Sequence, residues 1–372
     1  MTGLGRVALG LASGMWLVLG RADATDYRSG GEDAADLASE ATVSVGGLGG
    51  APSVPEPAGT AVAEVPPAPV LDLRTEQWTI PSQVVAAVRA VRERPLGERV
   101  AVASQSFLGL PYVLDAAGEG TVEDPDPVGR YDAFDCLTFV EETLAIAMAG
   151  DPLDAPMLRN AFRYDGPASY SHRRHFMEAE WIPDAVRNGL VTDITARLGP
   201  ARTLTKTVTA DTWKSWRRRS LFSLPAEALP VGSWSLNYLD LAEAELAAPR
   251  FPPGAIVLTL RQDRPHVPVV ITHVSLVIPG RDGLLMRHAT KMGSRKVRDD
   301  RLSWYVTHIR DYVNWRALGI AVLLPREQGP RLSALSITQL PPTFPPAEGP
   351  LPEFAAGALH PAASAPAGGE PG

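Results

Sequence analysis

Tyr131-Asp-Ala-Phe-Asp-Cys-Leu-Thr-Phe-Val-Glu141 is the stretch that decides how the rest of the chain is read. It runs on as Glu-Thr-Leu-Ala-Ile-Ala-Met-Ala149, and Leu137, Val140, Leu144 and Ala147 fall on one helical stripe. Gly150-Asp151-Pro152 ends that helix. Asp135 is a natural N-cap, so Cys136 is expected in the first helical turn. The helix dipole and its unpaired N–H groups favour a thiolate there. Cysteine pKa values at such places fall from about 8.5 to roughly 3.5–7.5. The same N–H groups could hold a developing oxyanion. Cys136 is the only cysteine, which excludes an intramolecular disulfide. A buried structural thiol and an intermolecular bridge are the competing readings.

A cysteine nucleophile needs a base. Seven histidines are available, at 172, 175, 266, 273, 288, 308 and 360. His360 falls in a Pro/Ala-rich tail and His266 in a Pro-flanked loop. His273 sits inside the β-branched run 269–278 (VVITHVSLVI), where period-two alternation groups it with Ser275 and away from Thr272, Val274 and Leu276. His288 lies on the next strand, 284–290, after the turn Pro279-Gly-Arg-Asp-Gly283. A turn centred near 281 brings His273 and His288 within about one residue of being directly opposed, so His288 could orient the His273 ring. The alternative is a cross-strand pair of purely structural histidines.

Working outward, helices are expected from Ser82 to about 92 and over 99–108, and strands over 255–260 and 318–324. Helices first and strands later predict an α+β fold. Residues 200–250 resist assignment and read as an insertion. The N-terminus has the form of an export signal: Arg6, an apolar stretch Val7–Gly20 and the small-x-small triplet Ala22-Asp23-Ala24 give a signal peptide over 1–24. Residues 25–70 read as a flexible Gly/Pro/Ala/Glu-rich linker, 71–325 as the folded domain and 326–372 as a second disordered tail.

Charge narrows the function classes. Residues 1–70 hold eight acidic and three basic residues, −5 of the net −7, which leaves the body nearly neutral. A body without a basic stripe argues against nucleic-acid binding. No apolar run reaches the roughly 18–20 residues of a spanning helix. An exported monomer, periplasmic or extracellular, is the expectation.

Phe107-Leu-Gly-Leu-Pro-Tyr-Val113 followed by Phe134-Asp-Cys-Leu-Thr-Phe-Val-Glu141 resembles the NlpC-type cell-wall hydrolases, a papain-like branch. The match is closer to the N-acetylmuramoyl-L-alanine amidase-like family of that clan. Its pattern continues here as Arg173, His175, Phe176 and Trp181, then Asn188–Thr195 (NGLVTDIT), His273 and His288-Ala289. The resemblance spans roughly residues 100–320. It implies a papain-like fold whose nucleophile helix packs on an antiparallel sheet. It implies Cys136 as nucleophile, His273 as base and His288 as the orienting residue. It also implies Tyr112, Arg173, His175 and Trp181 along the substrate cleft, and amide hydrolysis on peptidoglycan without metal or cofactor. The acidic, Pro-rich segment 114–130 departs from the family pattern.

Other features compete. His172, His175 and Glu178, spaced by three, would share a helical face and could bind a metal. Glu141 could help position the site, though such residues are more often solvated or structural. Trp213-Lys-Ser-Trp-Arg-Arg-Arg219 could hold glycan or form a solvated face. Two further functions stay open: a same-fold thiol acyl hydrolase or transferase on a non-wall substrate, and a non-catalytic wall-binding module.

Overall fold

The computed structural model describes residues 79–329. The expected signal (1–24), the linker (25–70) and most of the 326–372 tail lie outside the described residues. Arg326 to Gly329 do not: Gln328 is buried and donates to the Gly189 carbonyl at 2.9 Å, and Arg99 bonds Glu327. The packed chain therefore continues four residues beyond the expected boundary at 325.

The four longest helices precede the strands: α1 (Ser82–Ala90), α2 (Leu96–Gln105), α3 (Cys136–Met148) and α4 (Ala155–Arg163). The strands are β1 (Val191–Asp193), β2 (Arg202–Val208), β3 (Gly232–Asp240), β4 (Ile256–Arg261), β5 (Ile271–Gly280), β6 (Gly283–Thr290), β7 (Lys296–Arg301) and β8 (Ala317–Pro325). Among the shorter helices, the one labelled α5 (Leu302–His308) follows β7. The sheet has eight strands in the order β2-β3-β8-β4-β5-β6-β7, with β1 also on β8, and its pairings are antiparallel. This is the mixed α+β architecture expected.

The centre of the sheet is buried on both faces. Ile256, Leu258 and Leu260 of β4 join the large apolar cluster under α1–α4. Val257 points to a second cluster with Leu302, Tyr305 and Val306 of α5. Double burial explains why 255–260 reads as a continuous apolar run rather than an alternating one.

α3 is the central helix, and all of its 13 residues are buried. It packs on α2, α4, β5 and β6. Its charges are paired inside the protein: Arg163 Nε donates to Glu141 Oε2 at 2.8 Å, and Arg159 approaches Glu142 at 3.6 Å. Glu141 is thus a structural anchor between α3 and α4, not a solvated residue.

Residues 200–250 are integral to the sheet rather than an insertion. β2 and β3 form a hairpin, and Thr205 and Thr207 bond across it to Ser235 and Ser233 at 3.0 and 2.8 Å. Both tryptophans between them are buried: Trp213 packs on Phe176 and Trp216 on Phe222. That aromatic stripe is core, not a glycan surface.

Candidate active site

Asp135 begins α3 as the sequence predicts. Its Oδ1 accepts from the N–H groups of Leu137 and Thr138 at 2.9 and 2.8 Å, and Thr138 Oγ1 accepts from the Asp135 N–H at 3.0 Å. This reciprocal capping fixes the helix start and places the buried Cys136 at the first helical position. One expectation changes. The N–H groups of Leu137 and Thr138 are already engaged by Asp135, so they are not open donors for an oxyanion. Burial pushes the Asp135 carboxyl above its ordinary range, against the bonds from Thr138.

The two strand histidines meet. His273 Nε2 lies 2.6 Å from His288 Nδ1. The register differs from the sequence expectation: Leu276 faces Arg287, which makes the histidines diagonal neighbours rather than near-opposed ones. The chain of contacts then continues to a residue that sequence reading missed. His288 Nε2 is 3.0 Å from Asp300 Oδ2, and Arg298 donates to the same oxygen at 2.8 Å. Tyr305 covers both rings, with centroid distances of 6.2 and 6.1 Å, and its hydroxyl is 2.7 Å from Thr259 Oγ1.

This geometry fixes the proton positions. Burial works against the Asp300 charge, but the bond from His288 and the Arg298 guanidinium hold its carboxyl below the usual range. An ionised carboxylate only accepts, so His288 carries its proton on Nε2. A neutral His288 then accepts on Nδ1 from His273 Nε2–H. His273 is left with a bare Nδ1, the atom a general base requires. Burial lowers the pKa of both rings, protonation of either would set it against the other, and the Arg261 charge presses His273 down further. Both are neutral at pH 7.

A buried carboxylate sets the backbone just before His273. Glu178 Oε1 accepts from the consecutive N–H groups of Val270 and Ile271 at 2.6 and 2.5 Å. Successive N–H groups point to opposite sides in a regular strand. Here the β4–β5 register shifts, with Thr259 opposite His273 and Leu260 opposite Ile271. The bulge lets Ile271 fill the large core while His273 faces Tyr305 on the other side.

Cys136 and the histidines come from different layers. α3 lies against the face carrying Val274, Leu276 and Ala289, and the rings lie on the face of Tyr305. They share one end of the sheet. Phe134 bridges Tyr112, Tyr112 N–H donates to the Arg295 carbonyl at 2.8 Å, and Pro111 bridges Lys296. Lys296 in turn pairs with Thr290, two residues past His288.

The expected cleft residues separate. Tyr112 is half-buried in that tether. Arg173 is part-buried and holds Glu119, Asp124 and Asp115 at 2.5, 2.6 and 3.8 Å, which folds the acidic 114–130 segment onto the domain. His175 is buried, 2.7 Å from the Tyr170 carbonyl, and burial, aided by the Arg173 charge, pushes its pKa down to about 3. Arg173 and His175 line a water-sized cavity of about 30 Å³ beside the first turn of α3, too small for a substrate. Trp181 has no exposed surface and donates its indole N–H to Glu141 at 3.0 Å. As placed, Trp181 contributes to packing. His172, His175 and Glu178 bond Ser169, Tyr170 and β5 respectively and do not converge. No cluster of three or more His, Cys, Asp or Glu that could hold a metal occurs among the described residues.

The sequence profile of the N-acetylmuramoyl-L-alanine amidase-like family matches residues 102–312, more than half of the chain. The chain belongs to this amidase-like family. The match begins in α2 and ends just after α5, so it takes in the cysteine, both histidines and Asp300. No curated protein sequence matches this amidase-like chain. Its fold is similar to that of a Legionella pneumophila protein assigned to family DUF1460, with 20% identity and TM-score 0.59, covering 67% of this chain and 95% of that one. It is also similar to an N-acetylmuramoyl-L-alanine amidase from Bacteroides uniformis, with 23% identity and TM-score 0.50, covering 62% and 99%. No described helix of this amidase-like protein is long and apolar enough to cross a membrane.

Proposed function

We propose that this protein is an exported cysteine-dependent amide hydrolase acting on peptidoglycan, with Cys136 as nucleophile, His273 as base and His288 with Asp300 as the orienting pair. The observation that carries this reading is the His273–His288–Asp300 chain. It leaves one bare ring nitrogen at the end of the sheet to which the Cys136 helix is tethered. Membership of the amidase-like family supplies the substrate class.

In this mechanism His273 Nδ1 takes the proton of the Cys136 thiol, and Sγ attacks the amide carbonyl. The tetrahedral intermediate collapses as the amine leaves with the proton from His273. A thioester remains. Water, deprotonated by His273, attacks the thioester, releases the carboxylic acid and restores the thiol. His288 and Asp300 hold the ring and stabilise its transient charge without accepting the proton. No step requires a metal or cofactor. The arrangement of a cysteine helix on an antiparallel sheet supports a papain-like, NlpC-type assignment. The scissile bond is the lactyl–L-alanine amide or a bond within the stem peptide. The signal over 1–24, the tethers and a monomeric state belong to the same reading.

The test is digestion of purified peptidoglycan with mass analysis of the products. New amine and carboxylate ends are expected from the wild type and none from Cys136→Ala. New ends from the Cys136→Ala protein at the wild-type rate would remove Cys136 as nucleophile, and wall binding without new ends from either protein would leave a non-catalytic wall-binding module as the better account. Turnover of acylated lipids in place of muropeptides would point to the non-wall thiol hydrolase.

A further inference from the structure

Helix α5 turns one stripe of side chains towards the sheet. Leu302, Tyr305 and Val306, with Ile309 just beyond the helix, fall at helical spacing, and all four are buried in the second apolar cluster. Trp304 between them is exposed. The helix lies against β6 and β7, the strands that carry His288 and Asp300. Three of the four inward side chains are aliphatic. The fourth, Tyr305, lands on the histidines.

Two features set this contact apart from packing alone. The first is its position. The Tyr305 ring is 6.2 Å from that of His273 and tilted by 39°, and it stands 6.1 Å from that of His288 at 83°. The two imidazoles are 4.9 Å apart, so three rings close a triangle around the bond from His273 Nε2 to His288 Nδ1. The second feature is the hydroxyl. It lies 2.7 Å from Thr259 Oγ1, and Thr259 is the β4 residue directly opposite His273. A buried phenol needs a partner, and this one ties the ring to the strand beside the base. Thr259, Tyr305 and His288 are all buried.

We propose that Tyr305, anchored by Thr259, is a positioning residue that keeps water from the His273–His288 hydrogen bond and so holds His273 in the orientation that leaves Nδ1 bare. Its kinetic consequence rests on the proposed function; its effect on the two rings does not. Water that reached this bond would compete for both of its ends, and the His273 ring would be released to turn about its side-chain torsion. Water would also favour the protonated forms that burial disfavours. The charges around the rings come from other elements: Arg261 on β4, Lys291 after β6, and Arg298, Asp299 and Asp300 on β7. His308 of α5 stacks on Trp304 instead. A substitution at Tyr305 therefore removes the cover and leaves these charges in the chain.

The experiment is nitrogen-15 NMR titration of the imidazoles in the resting full-length protein, with His273→Gln and His288→Gln to assign the signals. The wild type should show His273 protonated on Nε2 and both rings neutral at pH 7. Tyr305→Leu fills the apolar cluster without a ring. It should raise the His273 midpoint towards 6.5 by at least about half a unit and move the ring shifts towards those of a hydrated imidazole. Tyr305→Phe and Thr259→Val keep the ring without its anchor and should each give a smaller change in the same direction. In turnover, Tyr305→Leu should lower kcat about tenfold with KM unchanged, and its acid limb should move up with the His273 midpoint. Packing alone would lower the melting temperature and leave titration and limb as in the wild type. Wild-type titration and shifts in folded Tyr305→Leu would overturn the proposal. If that variant does not fold, wild-type behaviour of both Tyr305→Phe and Thr259→Val would overturn it. The titration uses no substrate, so the shifts as described with no digestion of peptidoglycan would keep Tyr305 in this role and cost only the hydrolase reading.

Discussion

His273 Nε2 and His288 Nδ1 lie 2.6 Å apart although their strands pair Leu276 with Arg287, which sets the histidines two positions off a directly opposed pair. Diagonal neighbours have Cα atoms about 7–8 Å apart, a span that two imidazole rings bridge and shorter side chains do not. The diagonal aims His288 Nε2 at Asp300 on β7.

Asp300 therefore acts through His288. Asp300→Asn should keep the fold and lower kcat/KM by roughly 10²–10⁴-fold, because an amide no longer fixes the His288 tautomer. Steady-state kinetics with a circular dichroism check decides this. Wild-type kcat/KM for the Asp300→Asn protein would remove Asp300 from the account.

The pH profile carries a sign. His273 must be neutral to accept a proton, and its folded pKa is driven below 6.5 by burial and by His288. The acid limb of kcat/KM should thus fall below pH 6.5, with activity unchanged between pH 7 and 6.5. A limb centred above 6.5 would mean that the catalytic base is another group.

His175 makes a separate, structural prediction. Its folded pKa is about 3 against an ordinary 6.5. Below pH 6.5 the unfolded chain binds this proton and the folded one does not, so stability is lost as pH falls from 6.5 towards 3. At pH 4.5 this amounts to roughly 2–3 kcal/mol. The melting temperature of His175→Gln should fall less steeply over that range than the wild type. Parallel curves would show that His175 does not titrate in this way.

Arg173 was expected along the substrate cleft, but the structure places it among Glu119, Asp124 and Asp115. Arg173→Ala leaves buried carboxylates unpaired and should cost about 3–5 kcal/mol, read as a lost or sharply lowered unfolding midpoint. A stable Arg173→Ala protein with a raised KM would restore the substrate role.

Glu178 joins backbone to chemistry. Glu178→Ala strands the N–H groups of Val270 and Ile271 and should destabilise by about 2–4 kcal/mol while lowering kcat/KM. Glu178→Gln keeps one acceptor oxygen and should recover most of both. Chemical denaturation and kinetics on the two variants separate the bulge from general packing.

Much of this was legible in the sequence. Asp135 before Cys136 fixes a helix start through local hydrogen bonds, and apolar periodicity marks β4, β5, β6 and β8 because their partners are apolar. What escaped reading depends on partners far along the chain. β7 is Lys-Val-Arg-Asp-Asp-Arg, and only its pairing with β6 turns that charged run into a strand that presents Asp300 to His288. β2 and β3 bond through exposed threonines and serines, which carry no apolar alternation. The resemblance implied a cleft role for Trp181, His175 and Arg173, and only the fold shows that they bond Glu141, Tyr170 and Glu119 instead.

The central claim is that Cys136 carries the acyl group. Intact-protein mass spectrometry of the enzyme quenched during turnover of muropeptides addresses it directly. The account predicts an adduct of the acyl fragment mapped to Cys136, labile to hydroxylamine as a thioester is, and no adduct or product with Cys136→Ser. Product formed by Cys136→Ser at the wild-type rate would contradict it.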